Sequence, residues 1–283
     1  HMEGNHHSAP IDDSDDLMIT LERFRNKLGI SEVHFTGGEP SIHPNIISYI
    51  KNSKREGFTT KMTTNGVTHI DRYLECVESG LSSINMSIHT LDPASLANTM
   101  EPLRSTRWGE KTIAMQLSTC DKLSKIVDTK INTCVGKDES SALKVAEFFR
   151  KKKIQWRAMN QLEIPDESYS ALDRMCKSLK AIPISISLTA GSSSFTVAMK
   201  APDNFIFKVK LIRPFMLNSM CCGCQLEQDG KCYEYVYGPR IEKDSGKLKV
   251  RSCIHRNKEP FVLSVDDFFQ HQIFKEFQDV AKD

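Results

Sequence analysis

The spacing of apolar residues changes its period several times along the first 165 residues of the chain. Apolar residues that recur every three or four positions predict amphipathic helices, whereas short segments rich in Val, Ile, Thr and Phe predict strands. These patterns predict, in chain order, a helix over 14–29, a strand over 31–35, a helix over 44–57, a strand over 58–66, a helix over 68–80, strands over 81–88 and 125–135, a helix over 139–153 and a strand over 154–162. Alternating strands and helices are typical of a parallel sheet with right-handed crossovers.

The pattern changes beyond residue 166. A helix is predicted first, and three short segments then alternate like antiparallel strands; these elements cover 167–181, 182–190, 192–201 and 205–212. An amphipathic helix is predicted over 265–283. We therefore expect an α/β core over 1–165 and a smaller C-terminal part over 166–283.

The charge and the apolar content of the chain limit the classes of function that it can have. The chain has 283 residues, with 38 Lys and Arg against 36 Asp and Glu, so its formal net charge is +2. This balance argues against a nucleic-acid partner or a polybasic membrane binder. No apolar run approaches the roughly 20 residues of a membrane span, and no secretory signal is recognisable. These features predict a cytoplasmic protein with no membrane partner.

Nine cysteines are present, and their distribution is uneven. Four are scattered singly along the first 180 residues, and five crowd the segment 213–256: Cys221, Cys222, Cys224, Cys232 and Cys253. In a chain without a recognisable secretory signal, such a cluster more often binds metal than forms disulfides.

Polar residues follow each predicted strand of the first part. Residues 35–40 read FTGGEP, and the later strands end in TTNG, MSIHT, INTCV and RAMNQL. Chemistry in parallel sheets sits at the carboxyl ends of the strands. A Gly-Gly pair alone is common in a tight strand-to-helix turn, but polar residues at every strand end predict a site at this edge.

The motif GGEP on a strand of a βα series resembles the signature of the radical S-adenosylmethionine (SAM) superfamily. The segments KMTTNG, INMSIHTLDPASL and TKINTCV resemble the later strand ends of one subgroup, the GTP 3′,8-cyclases of molybdenum-cofactor biosynthesis (MoaA) and their relatives. The similarity covers about residues 3–165, and a weaker similarity covers 213–256. It implies a partial (β/α)6 barrel, followed by a C-terminal segment with antiparallel strands and a cysteine cluster.

The resemblance also implies binding residues. SAM would be contacted at the strand ends by Gly37, Gly38, Glu39, Ser87, Asn132 and Leu162. Thr63 and Lys130 match positions that contact the nucleotide substrate, and His34 stands where the cyclases have a substrate-binding arginine. That last departure puts GTP itself in question.

Alternative roles stay open for single residues. Ser87 is also suited to capping the next segment, Lys130 to an exposed strand position, and Thr63 to the Asn-Gly turn. Arg157 and Arg240 are further substrate candidates, because guanidinium groups pair with phosphate or carboxylate in a bidentate manner. Surface ion pairing is the alternative for both arginines.

The ligands of the catalytic [4Fe–4S] cluster are not in this sequence. The superfamily supplies them as Cys-x3-Cys-x2-Cys, a motif that the chain does not contain. In many relatives the third cysteine is followed by His-x-Glu-Gly, and this chain begins His1-Met2-Glu3-Gly4. We therefore expect the first strand and the cluster loop upstream of residue 1, and an inactive chain without them. The alternative is a cluster-less, non-enzymatic homologue with a structural zinc site.

The C-terminal cysteines resemble a second motif of the cyclases, Cys-x2-Cys-x13-Cys, which holds an auxiliary [4Fe–4S] cluster. Here Cys221 and Cys224 have the first spacing, but Cys253 lies farther away, and Cys222 and Cys232 are additional. The predicted ligands are Cys221, Cys224 and Cys253, with Cys232 as a fourth and Cys222 as a spare. Zinc is the competing metal, because four thiolates suit it equally.

The resemblance implies a reaction class. One electron, supplied by a flavodoxin or ferredoxin through the cluster, would cleave SAM to a 5′-deoxyadenosyl radical. Hydrogen abstraction would then lead to cyclisation or rearrangement of a nucleotide-like anionic small molecule, which is lyase chemistry. The rival interpretation is a MoaA-like tailoring enzyme for a natural-product or peptide substrate, favoured by His34 and the altered cysteine spacing.

Overall fold

A computed structural model of the chain describes residues 11, 15–100 and 102–280. The helices in these ranges are α1 (Asp15–Leu28), α2 (Ile46–Arg55), α3 (Ile70–Glu78), α4 (Pro93–Asn98), α5 (Thr106–Leu123), α6 (Ser140–Lys152), α7 (Pro165–Ser178), α8 (Asn218–Cys221), α9 (Gln225–Gln228), α10 (Val265–Gln270) and α11 (Gln272–Val280). A 3₁₀ turn covers Pro40–Ile42. Residues 1–4, whose motif was interpreted above, and the end of the predicted terminal helix lie outside the described residues.

Strands alternate with these helices. They are β1 (Glu32–Phe35), β2 (Thr59–Thr64), β3 (Ser83–Ser87), β4 (Asp128–Val135), β5 (Gln155–Asn160), β6 (Ile182–Leu188), β7 (Ser194–Lys200), β8 (Ile206–Ile212), β9 (Arg240–Asp244), β10 (Lys247–Arg251) and β11 (Val262–Ser264). Each strand predicted from the sequence is present, with bounds that are shorter by a few residues.

Besides the short helices α8 and α9, which the sequence did not predict, the helices differ from the sequence interpretation in two places. Residues 91–125 contain α4 and the 18-residue α5, which the apolar pattern did not predict. The buried stripe of α5 includes Gly109, Gln116 and Thr119, so its inward face is not a hydrophobic stripe. The single terminal helix is divided at His271, whose backbone is extended, although the apolar residues continue across the break.

The strands form a large sheet in the order β1-β2-β3-β4-β5-β8-β7-β6 and a three-stranded sheet in the order β11-β10-β9. The pairs from β1 to β5 are parallel, which confirms the predicted α/β class. β8 also pairs with β5, and this pairing, which the sequence did not predict, is parallel, with Arg157 opposite Lys208. The separate antiparallel sheet agrees with the predicted C-terminal part.

Side chains alternate between two faces of the parallel strands. One face is buried, with residues such as Met62, Ile84, Ile131 and Trp156, and the strands that carry it contact helices α2, α5, α6 and α7. The other face, which we call the open face, is polar and only partly covered. It carries Glu32, His34, Thr59, Lys61, Thr63, Ser83, Asn85, Ser87, Asp128, Lys130, Asn132, Cys134, Gln155, Arg157, Met159, Lys208 and Lys210.

The chain forms two compact units that are interleaved along the sequence. The sheet unit contains Ser31–Ile186 and Val197–Lys210, and the cysteine unit contains the residues up to Ile30, Ser187–Thr196 and the residues from Leu211 onwards. The division predicted from the sequence, between residues 165 and 166, stays a prediction. No helix in the described ranges combines the length and hydropathy needed to cross a bilayer.

Aromatic residues form the core of the cysteine unit. The Phe268 ring is fully buried and lies 5.5 Å from the Phe24 ring of α1, and Phe269, Phe274 and Phe277 pack around it. Helices from both ends of the chain therefore share one core. A tight turn at Ser245 and Gly246, both with positive φ, joins β9 to β10, as the twist of a two-residue hairpin requires.

Phe268→Ala is expected to lower the free energy of unfolding by about 3–5 kcal/mol, because it leaves a cavity among rings that cannot close it. Ile19→Ala on α1 is the control, since Ile19 is 54% exposed and exposed apolar residues contribute within about 0.5 kcal/mol. Denaturant unfolding followed by circular dichroism measures both changes. A loss below about 1 kcal/mol for the Phe268 variant would contradict the packing described here.

Candidate functional site

The turn after β1 exposes backbone at the carboxyl edge of the sheet. Gly37 and Gly38 have φ values of +91° and +53°, a region that residues with a Cβ rarely adopt. A Cβ added at either position would meet no atom within 4 Å, so the space beside both residues is open. The glycines are therefore required by the backbone conformation, and they leave the peptide groups accessible to a ligand.

Glu39 fixes this turn to the end of β2. Its Oε1 accepts hydrogen bonds from the Ser41 backbone N–H (3.1 Å), the Ser41 hydroxyl (2.6 Å) and the Thr64 hydroxyl (2.7 Å). Its Oε2 accepts one from the Asn65 backbone N–H at 2.7 Å. Of the four hydrogen bonds, Oε2 accepts this one alone, so it keeps acceptor capacity for a ligand while the carboxylate holds the two strand ends together.

Gln116 of the unpredicted helix α5 connects the next two strand ends. Its side-chain amide donates to the carbonyl of Asn65 at 2.8 Å and to that of Ser87 at 3.2 Å. Gln116 is 6% exposed, so these bonds form away from water. Ser87 is thereby held at the end of β3 through its backbone, with its side chain on the open face.

His34 and Thr63 meet on the open face. The His34 Nε2 lies 2.8 Å from the Thr63 hydroxyl. The ring keeps some contact with solvent, but burial among neighbouring groups, with smaller contributions from the cations of Lys210, Lys61 and Arg157, lowers the pKa of His34 to about 4. His34 is therefore a neutral imidazole at physiological pH.

Cations dominate the charge of the open face. Lys61, Lys130, Arg157, Lys208 and Lys210 lie on it, with the carboxylates of Glu32 and Asp128 near its amino-terminal side. Burial, followed by the charges of Arg157, Lys208 and Lys61, lowers the pKa of Lys130. Cations close enough to act on one another make a favourable place for an anion.

Asn132 and Arg157 form a polar pair across β4 and β5. Asn132 is 4% exposed, and its Oδ1 accepts a hydrogen bond from the Arg157 Nε at 3.0 Å. This bond orients the guanidinium along the open face. Leu162 lies two residues after the end of β5 in a turn and is partly buried.

Arg240 lies in the other unit. Its Nη2 donates to the Glu234 carboxylate at 2.8 Å, and Glu234 is 6% exposed. The guanidinium therefore already neutralises a buried carboxylate. The substrate role predicted for Arg240 stays a prediction.

The C-terminal cysteines share one small cavity of the cysteine unit. Cys221, Cys224, Cys232 and Cys253 line it together with His255, whereas Cys222 is exposed and does not line it. The cavity volume is about 20 Å³, room for about one water molecule. Burial raises the pKa of Cys221 to about 11.

The donor set of this cavity fits a metal centre, although the thiols are not arranged as one. All nine cysteines lie in the described ranges and are free, and within those ranges no three His, Cys, Asp or Glu groups are arranged at metal-binding geometry. Four thiols therefore line one cavity, and the auxiliary centre predicted from the sequence stays a prediction.

Sequence reasoning missed several residues of the site. Lys61, Lys208 and Lys210 belong to the open face, Gln116 joins two strand ends, and His255 lines the cysteine cavity. The alternation in IFKVKLI was the available signal for the β8 lysines, once β8 is placed beside β5. No local signal marks Gln116, because its role depends on where α5 packs.

The family comparison matches the first half of the chain. The model of the radical SAM superfamily matches residues 4–149, about half of the chain. The probable GTP 3′,8-cyclase of Thermococcus kodakarensis is 32% identical over 93 residues, which cover 33% of this chain and 30% of that protein. The match to that relative therefore spans less than a third of its length.

A longer relative and a solved structure extend the likeness. The probable GTP 3′,8-cyclase of Saccharolobus solfataricus is 24% identical over 246 residues, covering 84% of this chain and 77% of that protein. The structure described as native anSMEcpe with bound AdoMet and Cp18Cys peptide superposes with a TM-score of 0.54 and 12% sequence identity. The superposition covers 95% of this chain and 76% of the anSMEcpe chain. At that identity the structural likeness concerns the fold alone.

His34 is expected to titrate with a pKa of about 4, well below the ordinary value for an imidazole. The folded state then binds fewer protons than the unfolded chain between about pH 4 and pH 6.5, so stability should rise with pH across this window and lose that dependence above it. NMR of ring-labelled histidine, with His34→Gln to assign the resonance, measures the pKa. A midpoint at or above 6.5 would contradict the environment described for the ring.

Proposed function

Because the chain belongs to the radical SAM superfamily, we propose that it forms the SAM- and substrate-binding part of an enzyme that carries out radical cyclisation or rearrangement of a small anionic, nucleotide-like molecule. One observation carries this proposal. Exposed glycine backbone follows β1, and the pairing of neighbouring strands places a row of cations on the open face of the same sheet. When bound, SAM and its [4Fe–4S] cluster would supply a 5′-deoxyadenosyl radical for hydrogen abstraction.

The residues of the strand ends would bind SAM. The peptide groups at Gly37 and Gly38 are accessible, and the spare acceptor capacity of Glu39 Oε2 suits an ammonium group. Ser87 and Asn132 lie directly opposite each other on β3 and β4. Leu162 would provide apolar contact to the adenine from the turn after β5.

The open face would bind the substrate. Thr63 and Lys130 lie on it, and Arg157, oriented by Asn132, adds a bidentate donor for phosphate or carboxylate. Lys208 and Lys210 extend the same row from β8. An anion placed here relieves the repulsion among these cations, which is the physical reason for the proposed substrate class.

A second candidate is a MoaA-like tailoring enzyme for a natural-product or peptide substrate. The neutral His34 favours it, because the resembling cyclases have an arginine at this position. A neutral ring hydrogen-bonded to Thr63 donates or accepts one hydrogen bond, and it offers no charge to a phosphate. GTP turnover separates the two candidates.

The cysteine unit would hold an auxiliary [4Fe–4S] cluster on Cys221, Cys224 and Cys253, with Cys232 as a fourth ligand. The four thiols line one cavity, and Cys222, the predicted spare, lies outside its lining, which supports this assignment. Zinc on the same thiolates is the competing centre. A flavodoxin or ferredoxin would deliver electrons, and the reducing cytoplasm suits nine free thiols.

The activity test uses a polypeptide in which this chain is joined to the Cys-x3-Cys-x2-Cys segment that the resemblance implies. After anaerobic reconstitution, SAM, dithionite and GTP are expected to yield 5′-deoxyadenosine above the substrate-free level, measured by chromatography. Lys208→Ala combined with Lys210→Ala should raise KM about tenfold or more and leave kcat within about twofold, since these lysines bind an unreacting part of the substrate.

Lys200→Ala on β7 is the matched control and should leave both constants unchanged. If GTP does not stimulate 5′-deoxyadenosine, the cyclase-like substrate is excluded and the tailoring enzyme becomes the better proposal. If the double variant behaves like the control, the open face does not bind the anion.

Metal analysis tests the auxiliary centre in the chain itself. Anaerobic reconstitution is expected to give about four irons and four sulfides per chain, because Cys221, Cys224, Cys232 and Cys253 are the converging thiols. Combined Cys221→Ala and Cys224→Ala should abolish this content, and Cys222→Ala should preserve it. About one zinc with no iron would instead assign the cavity to a structural zinc site.

A further inference from the structure

We propose that His255 is a ligand of the metal centre in the cysteine unit, bound through its Nε2. The proposal rests on the auxiliary centre proposed above, and it adds a nitrogen donor to the thiolates. His255 lines the same cavity as Cys221, Cys224, Cys232 and Cys253. Imidazole nitrogen and thiolate sulfur are the donors found together in zinc sites and on one iron of some iron–sulfur clusters.

The His255 Nε2 has an unusual environment. The atom is buried, and no hydrogen-bond partner for it exists within the described part of the chain. Burying a polar nitrogen without a partner costs free energy, and such atoms are uncommon in folded proteins. A metal ion bound by this nitrogen removes that cost, whereas a purely structural role for the ring leaves it unexplained.

The segment that carries His255 is held in place on both sides. It follows β10, where Arg251 donates two hydrogen bonds to the Glu242 carboxylate, each at 2.7 Å, and a third to the carbonyl of Arg256 at 2.8 Å. The Ser252 N–H donates to the carbonyl of Phe261 at 2.9 Å. These bonds fix the loop that presents Cys253 and His255 to the same cavity.

The charge of the centre follows from this ligand. A neutral imidazole in place of a thiolate makes the centre less negative by one charge, and it raises the reduction potential of an iron–sulfur cluster. The cavity then contains five donors, so one thiol is left over when four of them bind. His255 and Cys232 line the same cavity, so His255 is the alternative to Cys232 as the fourth ligand.

The test uses nitrogen labelling, which reports ligation independently of activity. The chain is produced with ¹⁵N-histidine, reconstituted anaerobically with iron(II) and sulfide, reduced and studied by pulsed EPR. A strong ¹⁵N coupling is expected, and His255→Ala should remove it. His69→Ala is the matched control, because His69 lies exposed before α3, and it should keep the coupling.

A second variant, His255→Cys, distinguishes loss of the nitrogen ligand from loss of the fold. It offers a thiolate at the same place, so iron content should be retained while the nitrogen coupling disappears and the reduction potential falls. In the metal-free chain, His255→Leu should keep or raise Tm, because it removes a buried nitrogen without a partner, yet it should lower metal affinity about tenfold or more.

Each outcome decides the proposal. A full iron and sulfide content without ¹⁵N coupling overturns His255 as a ligand and leaves the auxiliary cluster in place. If iron does not bind but cobalt(II) does, and His255→Ala weakens cobalt(II) binding tenfold, His255 remains a ligand and the centre is a zinc-type site. Failure of both metals overturns the proposal, and none of these results depends on the radical reaction.

Discussion

The carboxylate of Glu39 is the interaction on which the candidate site depends. Its four hydrogen bonds connect the turn after β1 to the end of β2 and the 3₁₀ turn. Hydrogen bonds to a charged group are worth about 1.5–3 kcal/mol each, enough to hold Gly37 and Gly38 in their positive-φ conformation. The accessible backbone beside SAM's proposed position is therefore a consequence of a carboxylate that acts mainly within the protein.

Electrostatics gives the open face its proposed specificity. Five cationic side chains lie on neighbouring strands, where Lys61 pairs with Glu32 and the other cations repel one another, and burial lowers the pKa of Lys130 and of His34. The folded chain keeps this arrangement because hydrogen bonds and burial elsewhere stabilise the sheet. Such a concentration of positive charge favours an anionic ligand, and the neutral ring of His34 on β1 adds no charge to it.

The cysteine unit combines an apolar core with a small cavity lined by four thiols and His255. The phenylalanine cluster around Phe268 and the ion pair of Arg251 with Glu242 hold the hairpin and the helices in place. The thiols and His255 are then carried by short segments between these fixed elements. The scaffold that positions these segments is stabilised by its own apolar packing and by this ion pair.

The sequence by itself determined the alternation of strands and helices, the GGEP turn and the clustering of the cysteines, because these are local patterns of period, backbone conformation and spacing. It did not reveal α5, whose buried stripe includes Gln116 and Thr119, nor the parallel pairing of β8 with β5. Those features decide that Gln116 joins two strand ends and that Lys208 and Lys210 enter the open face. Packing within the cysteine unit likewise decides that the Nε2 of His255 is buried beside four thiols. Only the tertiary structure decided them, because burial and neighbours across a sheet arise from segments distant in the chain.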